Sequence, residues 1–237
     1  MKIVRNIIIV ILVISISIVG YIGFQGYDMY KKAIKETPIS EKIEEIRSKE
    51  NYTTLKEMPE LYKKAVIAAE DHRFYDRRSP IDIKSIGRAI ITNIKRNKIV
   101  EGGSTITQQL AKNTYFTQEK KFTRKVAEVF VAYKYEEECE RDEILELYLN
   151  TSYFGDGCYS VREASINYFD KDPIEMTEYE CIMLAGIPNA PSVYAPTKNP
   201  ELAAQRAKQV INKMVECEYL TREEADKIIE ENQKNIE

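Results

Sequence analysis

Gly102-Gly103-Ser104-Thr105-Ile106-Thr107-Gln108-Gln109-Leu110-Ala111-Lys112-Asn113 gathers residue types that handle an anion. Two glycines let a backbone come close to a ligand. Ser104 or Thr105 can cap a helix, and Thr105 with Gln108 has the reciprocal capping-box spacing. The first turn of such a helix presents N–H groups and a positive dipole end, which attract phosphate. Gln108 and Lys112, one helical turn apart, add an amide and a cation to one face. The spacing predicts a phosphate cradle without saying whose phosphate it holds.

Two acids supply candidate proton chemistry. Glu70-Asp71 closes the alanine-rich run Ala65-Val66-Ile67-Ala68-Ala69. Two readings stand on these residues alone: a helix end with solvated acids, or a carboxyl of raised pKa that exchanges a proton near neutral pH. Glu128 follows Arg124 by four residues and Lys125 by three, so all three share one side of a helix. That group is either an ordinary surface ion pair or part of a phosphate pocket. Lys120 and Lys121 add charge just upstream, and Arg88, Lys95, Arg96 and Lys98 form another basic group.

Several rival chemistries lack their parts. His72 is the lone histidine, and no G-x-S-x-G elbow accompanies it. Lys112 comes too late after the glycines for a G-x-x-x-x-G-K-[ST] phosphate loop. There is no S-x-x-K or K-T-G for an acyl-serine penicillin-binding domain. The four cysteines contain no C-x-x-C pair, so the pattern favours free, mostly buried thiols over a structural zinc site.

The elements that must position these residues read as helices. Ile83, Ile86, Ile90, Ile91 and Ile94 follow helical spacing with Lys84, Arg88 and Lys95 between them. Further helices are predicted over 122–135, 142–149, 177–184, 200–215 and 221–230. Thr177 with Glu180 and Thr221 with Glu224 have capping-box spacing, and Asn199-Pro200 sets a cap before a first-turn proline. Alternating strand patterns are nearly absent. The expected architecture is mainly α.

The 237 residues suffice for one buried core, and a net charge of −3 gives no pull toward nucleic acid. No charged residue lies between Asn6 and Tyr27. At ~1.5 Å per residue that run spans a hydrocarbon core of ~30 Å. Lys2 and Arg5 precede it and Asp28 is the first acid, so the positive-inside rule leaves residues 1–6 in the cytoplasm. A cleaved signal peptide is the rival, but Gly20-Tyr21-Ile22-Gly23 matches a cleavage site weakly. The predicted organisation is an uncleaved anchor over 7–27, a helical stalk over 28–58 and one domain over 59–237.

Taken together the segments resemble the peptidoglycan glycosyltransferase family, membrane-bound polymerases of lipid II. The blocks stand in family order: Glu70-Asp71-x-x-Phe74, Gly102 to Gln109, Arg124-Lys125-x-x-Glu128, Ile144-Leu145-Glu146-x-Tyr148-Leu149-Asn150, Tyr153-Phe154-Gly155, and Ala190-Pro191-Ser192-x-Tyr194. The resemblance covers about residues 59–215, and without a transpeptidase domain it points to the monofunctional type.

It implies a lysozyme-like helical domain with a small membrane-associated lobe, the Ile83–Ile94 stripe being the interfacial helix. Glu70 matches the general base, which takes the proton from the acceptor sugar's 4-hydroxyl. That oxygen attacks the donor's anomeric carbon and displaces undecaprenyl pyrophosphate, with inversion to a β-1,4 link. Glu128 matches a second acid that organises the basic side chains or a metal. Arg88, Ser104, Gln108, Lys112, Lys120 and Lys125 match contacts to pyrophosphate or sugar. No cofactor is required, with Mg2+ or Mn2+ as an optional aid. The implied partners are lipid II, the nascent strand, the bacterial membrane, and transpeptidases or other wall-synthesis proteins.

Two departures stand out. The family's first block continues Phe-x-x-His-x-Gly, whereas Arg77-Arg78-Ser79-Pro80 follows here, with an extra residue before Asp82. Acceptor positioning is what that loop puts in question. Lys120 replaces a common arginine and loses its two-pronged grip on phosphate. Two rivals accompany the enzyme reading. One is a glycan-cleaving relative of the same fold, which has no use for a phosphate cluster. The other is a catalytically impaired lipid II-binding scaffold.

Overall fold

The computed structural model describes residues 2–97, 102–117 and 121–234. Among them the regular elements are helices: α1 (Lys2–Glu36), α2 (Ile39–Arg47), α3 (Glu60–Glu70), α4 (Ile83–Arg96), α5 (Ile106–Tyr115), α6 (Phe122–Glu138), α7 (Arg141–Leu149), α8 (Val161–Phe169), α9 (Glu178–Gly186), α10 (Pro191–Tyr194), α11 (Pro200–Glu216) and α12 (Arg222–Lys234). Short 3-10 turns precede α3, α9 and α10. The mainly α expectation holds.

The start signals act as their spacing predicts. Thr177 accepts from the Glu180 amide at 3.3 Å while Glu180 accepts from the Thr177 amide at 2.7 Å. Thr221 and Glu224 exchange the same pair at 3.2 and 2.7 Å. Asn199 precedes Pro200, but its amide turns to the Val193 carbonyl at 3.1 Å instead of capping α11. Its position was legible and its partner was not.

α1 is long and apolar enough to cross a membrane. Most of its large apolar side chains from Ile3 to Phe24 are exposed. The helix does not stop at residue 27. It runs on and docks along α6, where a Cβ on Gly26 would come within 2.5 Å of Val126 Cβ and 2.8 Å of the Thr123 carbonyl oxygen. Tyr27 and Tyr30 pack on Phe130 with ring centroids 5.2 and 5.5 Å apart. Only glycine permits that crossing.

The segment expected as a stalk over 28–58 is part of the body. Ile39, Ile43 and Ile46 lie on one face of α2 and are buried in the core with Met58. Asn150 holds the following stretch in a two-way bond, accepting from the Thr53 amide and donating to its carbonyl, both at 2.8 Å. Glu146 accepts from the Leu55 amide at 2.8 Å. Charged residues on α2's outer face made the segment read as solvated. Its apolar positions needed the body of the domain to declare themselves.

The core forms where α3 meets α9 and α11, and where α5 meets α6 and α7. Ala65 and Ala68 let α3 approach its neighbours, while Tyr62, Phe74, Tyr135, Tyr148 and Phe154 fill the interior. The cysteines are all unpaired; Cys158 and Cys181 are buried, Cys139 and Cys217 half-buried. α4 departs from this pattern. Of its residues only Ala89 is buried, and Ile83, Ile90, Ile91 and Ile94 are 54–80% exposed. Such a contiguous apolar side marks a contact surface.

Candidate active site

α3 carries Glu70 as its last residue, and the chain leaves the helix at Asp71. Phe74, fully buried, pins the loop that follows, and its amide donates to the Asp71 carbonyl at 2.8 Å. Neither acid is solvated in the way a simple helix end would be. Glu70 Oε2 accepts from Gln109 Nε2 at 2.7 Å, while Oε1 is buried without a hydrogen-bond partner. Burial pushes the Glu70 carboxyl above its ordinary value; the Gln109 bond and the charges of Arg206 and Lys112 pull the other way. The result is a carboxyl with one oxygen fixed and one ready to accept a proton.

Asp71, 5% exposed, faces the start of α5. Its Oδ2 accepts from the Ile106 amide at 3.2 Å and from Arg77 Nε at 3.1 Å. The capping box is present as predicted: Thr105 accepts from the Gln108 amide at 3.2 Å, and Gln108 Oε1 from the Thr105 amide at 3.1 Å. These bonds alter the cradle read from sequence. Thr105, Ile106, Thr107 and Gln108 are at most 2% exposed, and a carboxylate of the protein itself sits at the positive end of the helix. Asp71 therefore takes the Ile106 amide that the spacing had offered to phosphate. Gln108 has spent its oxygen on the cap, leaving only its Nε2 for a ligand.

The glycines also serve the fold. A Cβ on Gly103 would lie 3.0 Å from Ile86 Cα, so Gly103 lets the chain pass close to α4; Gly102 faces open space. Beyond them the cations converge. Lys125 Nζ lies 2.8 Å from Ser104 Oγ and 3.0 Å from Glu128 Oε2. Arg124 Nη1 stands 2.9 Å from Glu128 Oε1 without hydrogen-bond alignment, and its Nε is buried with no partner. Glu128 is 1% exposed, which rules out the surface ion pair.

Lys112 is one turn further along α5 than Gln108, and its charge interacts with both Glu128 and Glu70. Burial lowers its pKa, Glu128 opposes that, and Arg124 and Lys125 lower it further. α5 thus bridges the site, with Gln109 on the Glu70 side and Lys112 facing the cations. Arg88 sits on exposed α4, its Nη2 3.3 Å from Ser85 Oγ. Lys120 lies outside the described residues.

Three members have roles the sequence reading did not assign. Gln109 is adjacent to Gln108, and only the helix phase decides which amide meets Glu70. Arg124 was visible through its spacing to Glu128 but gave no sign of a spare donor. Arg206, on α11, is far away in the chain; its Nε donates to the Gly186 carbonyl at 3.2 Å and its guanidinium lies 5.7 Å from the Tyr194 ring centre. A groove of about 670 Å³ lined by Lys63, Lys64, Tyr75, Asp142 and Tyr219 opens elsewhere and contains neither acid.

The chain is similar to several known proteins. A family model described as Transglycosylase matches residues 36–215. Penicillin-binding protein 1A of Neisseria cinerea is 44% identical over 180 residues, 76% of this chain and 22% of its own length. Penicillin-binding protein 1F of Bacillus subtilis is 43% identical over 172 residues, 73% of this chain and 24% of its own. The chain thus spans about a quarter or less of the length of these relatives. A crystal structure of penicillin-binding protein 1A from Haemophilus influenzae matches 64% of this chain and 17% of its own, at 26% identity and a TM-score of 0.36. The family match begins at residue 36, inside the segment that the fold had already joined to the domain. On that match the chain belongs to the transglycosylase family, the peptidoglycan glycosyltransferases whose blocks run through its sequence.

Proposed function

We propose that this chain polymerises lipid II into β-1,4-linked glycan, releasing undecaprenyl pyrophosphate with inversion at the anomeric carbon. One observation carries the reading: a carboxyl with a buried, unpartnered oxygen and a separate group of cations are linked through α5, by Gln109 and by Lys112. A reaction that takes a proton at one end and expels a pyrophosphate at the other needs that separation.

Glu70 Oε1 accepts the proton of the acceptor's 4-hydroxyl while Gln109 holds Oε2. The freed oxygen attacks the donor sugar. Negative charge growing on the leaving pyrophosphate is met by Lys112, Lys125 and Arg124, with Ser104 beside Lys125, and fixed cations in a partly desolvated site lower that barrier. Glu128 holds Arg124 and Lys125 in place. Both its oxygens already face cations, so these residues do not form a divalent-metal site, and a chelator is expected to leave polymerisation in place.

The chain sits on the membrane through α1, its N-terminus cytoplasmic and the domain outside. α4 lays its isoleucines into the lipid, with Lys84, Arg88, Lys95 and Arg96 at the headgroups. The test is incubation of the purified full chain with lipid II in detergent. Polymer is expected from the wild type and none from Glu70→Gln; a Glu70→Gln variant that still polymerises removes Glu70 from the base role. Release of soluble fragments from isolated sacculi would favour the glycan-cleaving rival.

A further inference from the structure

The loop that departs from the family pattern contributes a heavily bonded side chain next to the site. Arg77 is 5% exposed and directs its guanidinium to four partners. Nε donates to Asp71 Oδ2 at 3.1 Å, and Nη2 to Thr107 Oγ1 at 2.9 Å. Nη1 donates to Glu136 Oε1 and to the Ser79 carbonyl. The Phe74 ring centre lies 5.5 Å from the guanidinium carbon. Four of the five guanidinium N–H groups have an identified acceptor, which a buried cation requires.

The acceptors belong to different elements. Asp71 follows Glu70 directly and also binds the Ile106 amide at the start of α5. Thr107 is the second residue of α5, and its hydroxyl passes the bond on to Glu136 Oε1 at 2.9 Å. Glu136 lies two turns beyond Glu128 on α6. Arg141 of α7 closes the group, reaching Glu136 at 2.6 and 3.0 Å and the Arg77 carbonyl at 3.0 Å. Two acids and two guanidinium groups leave the cluster neutral.

We propose that Arg77 is a positioning residue of this active site, setting the end of α3 against the first turn of α5. That register fixes the Gln109 contact to Glu70 and sets where the same helix carries Lys112. Arg77 touches no reacting atom; it acts through Asp71 and Thr107. A lysine cannot take over, because one ammonium on a flexible stem cannot span Asp71, Thr107 and Glu136 as a planar fork does. The inference rests on the glycosyl-transfer reading for its kinetic consequence and stands on geometry for its structural one.

The test uses the full chain with lipid II, alongside amide hydrogen exchange over Ile106–Gln109. Arg77→Lys is expected to lower kcat roughly 10- to 100-fold, since small misplacements of reacting groups cost that much, with KM within about twofold. Exchange in the first turn of α5 should rise about tenfold in the same variant. Thr107→Val removes one arm and leaves every ion pair in place, so it serves if the lysine variant does not fold; a several-fold loss in kcat alone is expected. Unchanged kcat and unchanged exchange in a folded variant would overturn the proposal. So would a loss confined to KM. If the wild type makes no polymer, the glycosyl-transfer reading fails, while the exchange measurement still decides whether Arg77 sets α5.

Discussion

Glu70, half-buried, and Glu128, fully buried, are the same residue type, and their surroundings make them opposites. Glu70 has one oxygen held by a neutral amide and the other without a partner. Glu128 has a cation against each oxygen, Arg124 at 2.9 Å and Lys125 at 3.0 Å. The first environment leaves a carboxyl poised to change its proton. The second holds one that organises charge. Environment, not residue type, divides the labour, and α5 serves both sides, with Gln109 bonded to Glu70 and the Lys112 charge acting on both acids.

The largest effect separating the pair is on rate. Glu70→Gln is expected to lower kcat at least ~10³-fold, the scale of a lost general base. Glu128→Gln should cost ~10²-fold by loosening the cations that meet the leaving group. Comparable losses in single-turnover assays would erase the distinction.

Stability should move in opposite directions for the same two variants. Glu70→Gln relieves a buried carboxyl with an orphan oxygen and should raise stability by about 1 kcal/mol at neutral pH. Glu128→Gln leaves Arg124 and Lys125 without their counter-charge and should lower it by about 2 kcal/mol. Thermal melts of the two proteins check the signs. For Glu70 the sign follows from its pKa. Burial raises the folded-state value above the unfolded one, so ionisation above the ordinary carboxylate range costs stability. That cost disappears as pH falls through the raised value, so Glu70→Gln should stabilise less in acid.

A smaller effect sharpens the base assignment. The Gln109 bond lowers the Glu70 pKa, so Gln109→Met should raise it and move the acid limb of the kcat–pH profile to higher pH. Arg206→Gln should move it the same way by less. Profiles that do not move would mean the limb belongs to another group.

A comparison away from the two acids addresses the back of α6. Gly26→Leu drives a side chain into Val126 and the Thr123 carbonyl, and should destabilise by about 1–3 kcal/mol while disturbing the Glu128 side. Gly23→Leu, with no protein atom within 4 Å of its Cβ position, should leave the melt unchanged. Equal melts for the two would remove the glycine requirement at the crossing.

Much of this site was legible because its signals are local. The Thr105–Gln108 box needs only residues three apart, and Arg124, Lys125 and Glu128 gather through helix pitch alone. The isoleucine stripe of α4 followed the same arithmetic. The start of α5 was less legible for the opposite reason. Whether the amide of Ile106 meets phosphate or Asp71 depends on a residue 35 positions away. Arg77 looked like a defect in a motif, and its four acceptors come from segments that no periodicity connects.

By itself the sequence determined most of the helices, their capping boxes, the membrane-length apolar run, the two acids and the cations grouped beside Glu128. All of these follow from residue type and from pitch within a few turns. The tertiary structure alone decided which glutamine meets Glu70, that Asp71 closes the start of α5, and that α2 belongs to the core. It also decided that Gly26 must stay bare and that Arg77 ties the helices together. Those outcomes rest on burial and on contacts between distant segments, because a carboxyl's pKa and an arginine's partners are set by what packs around them.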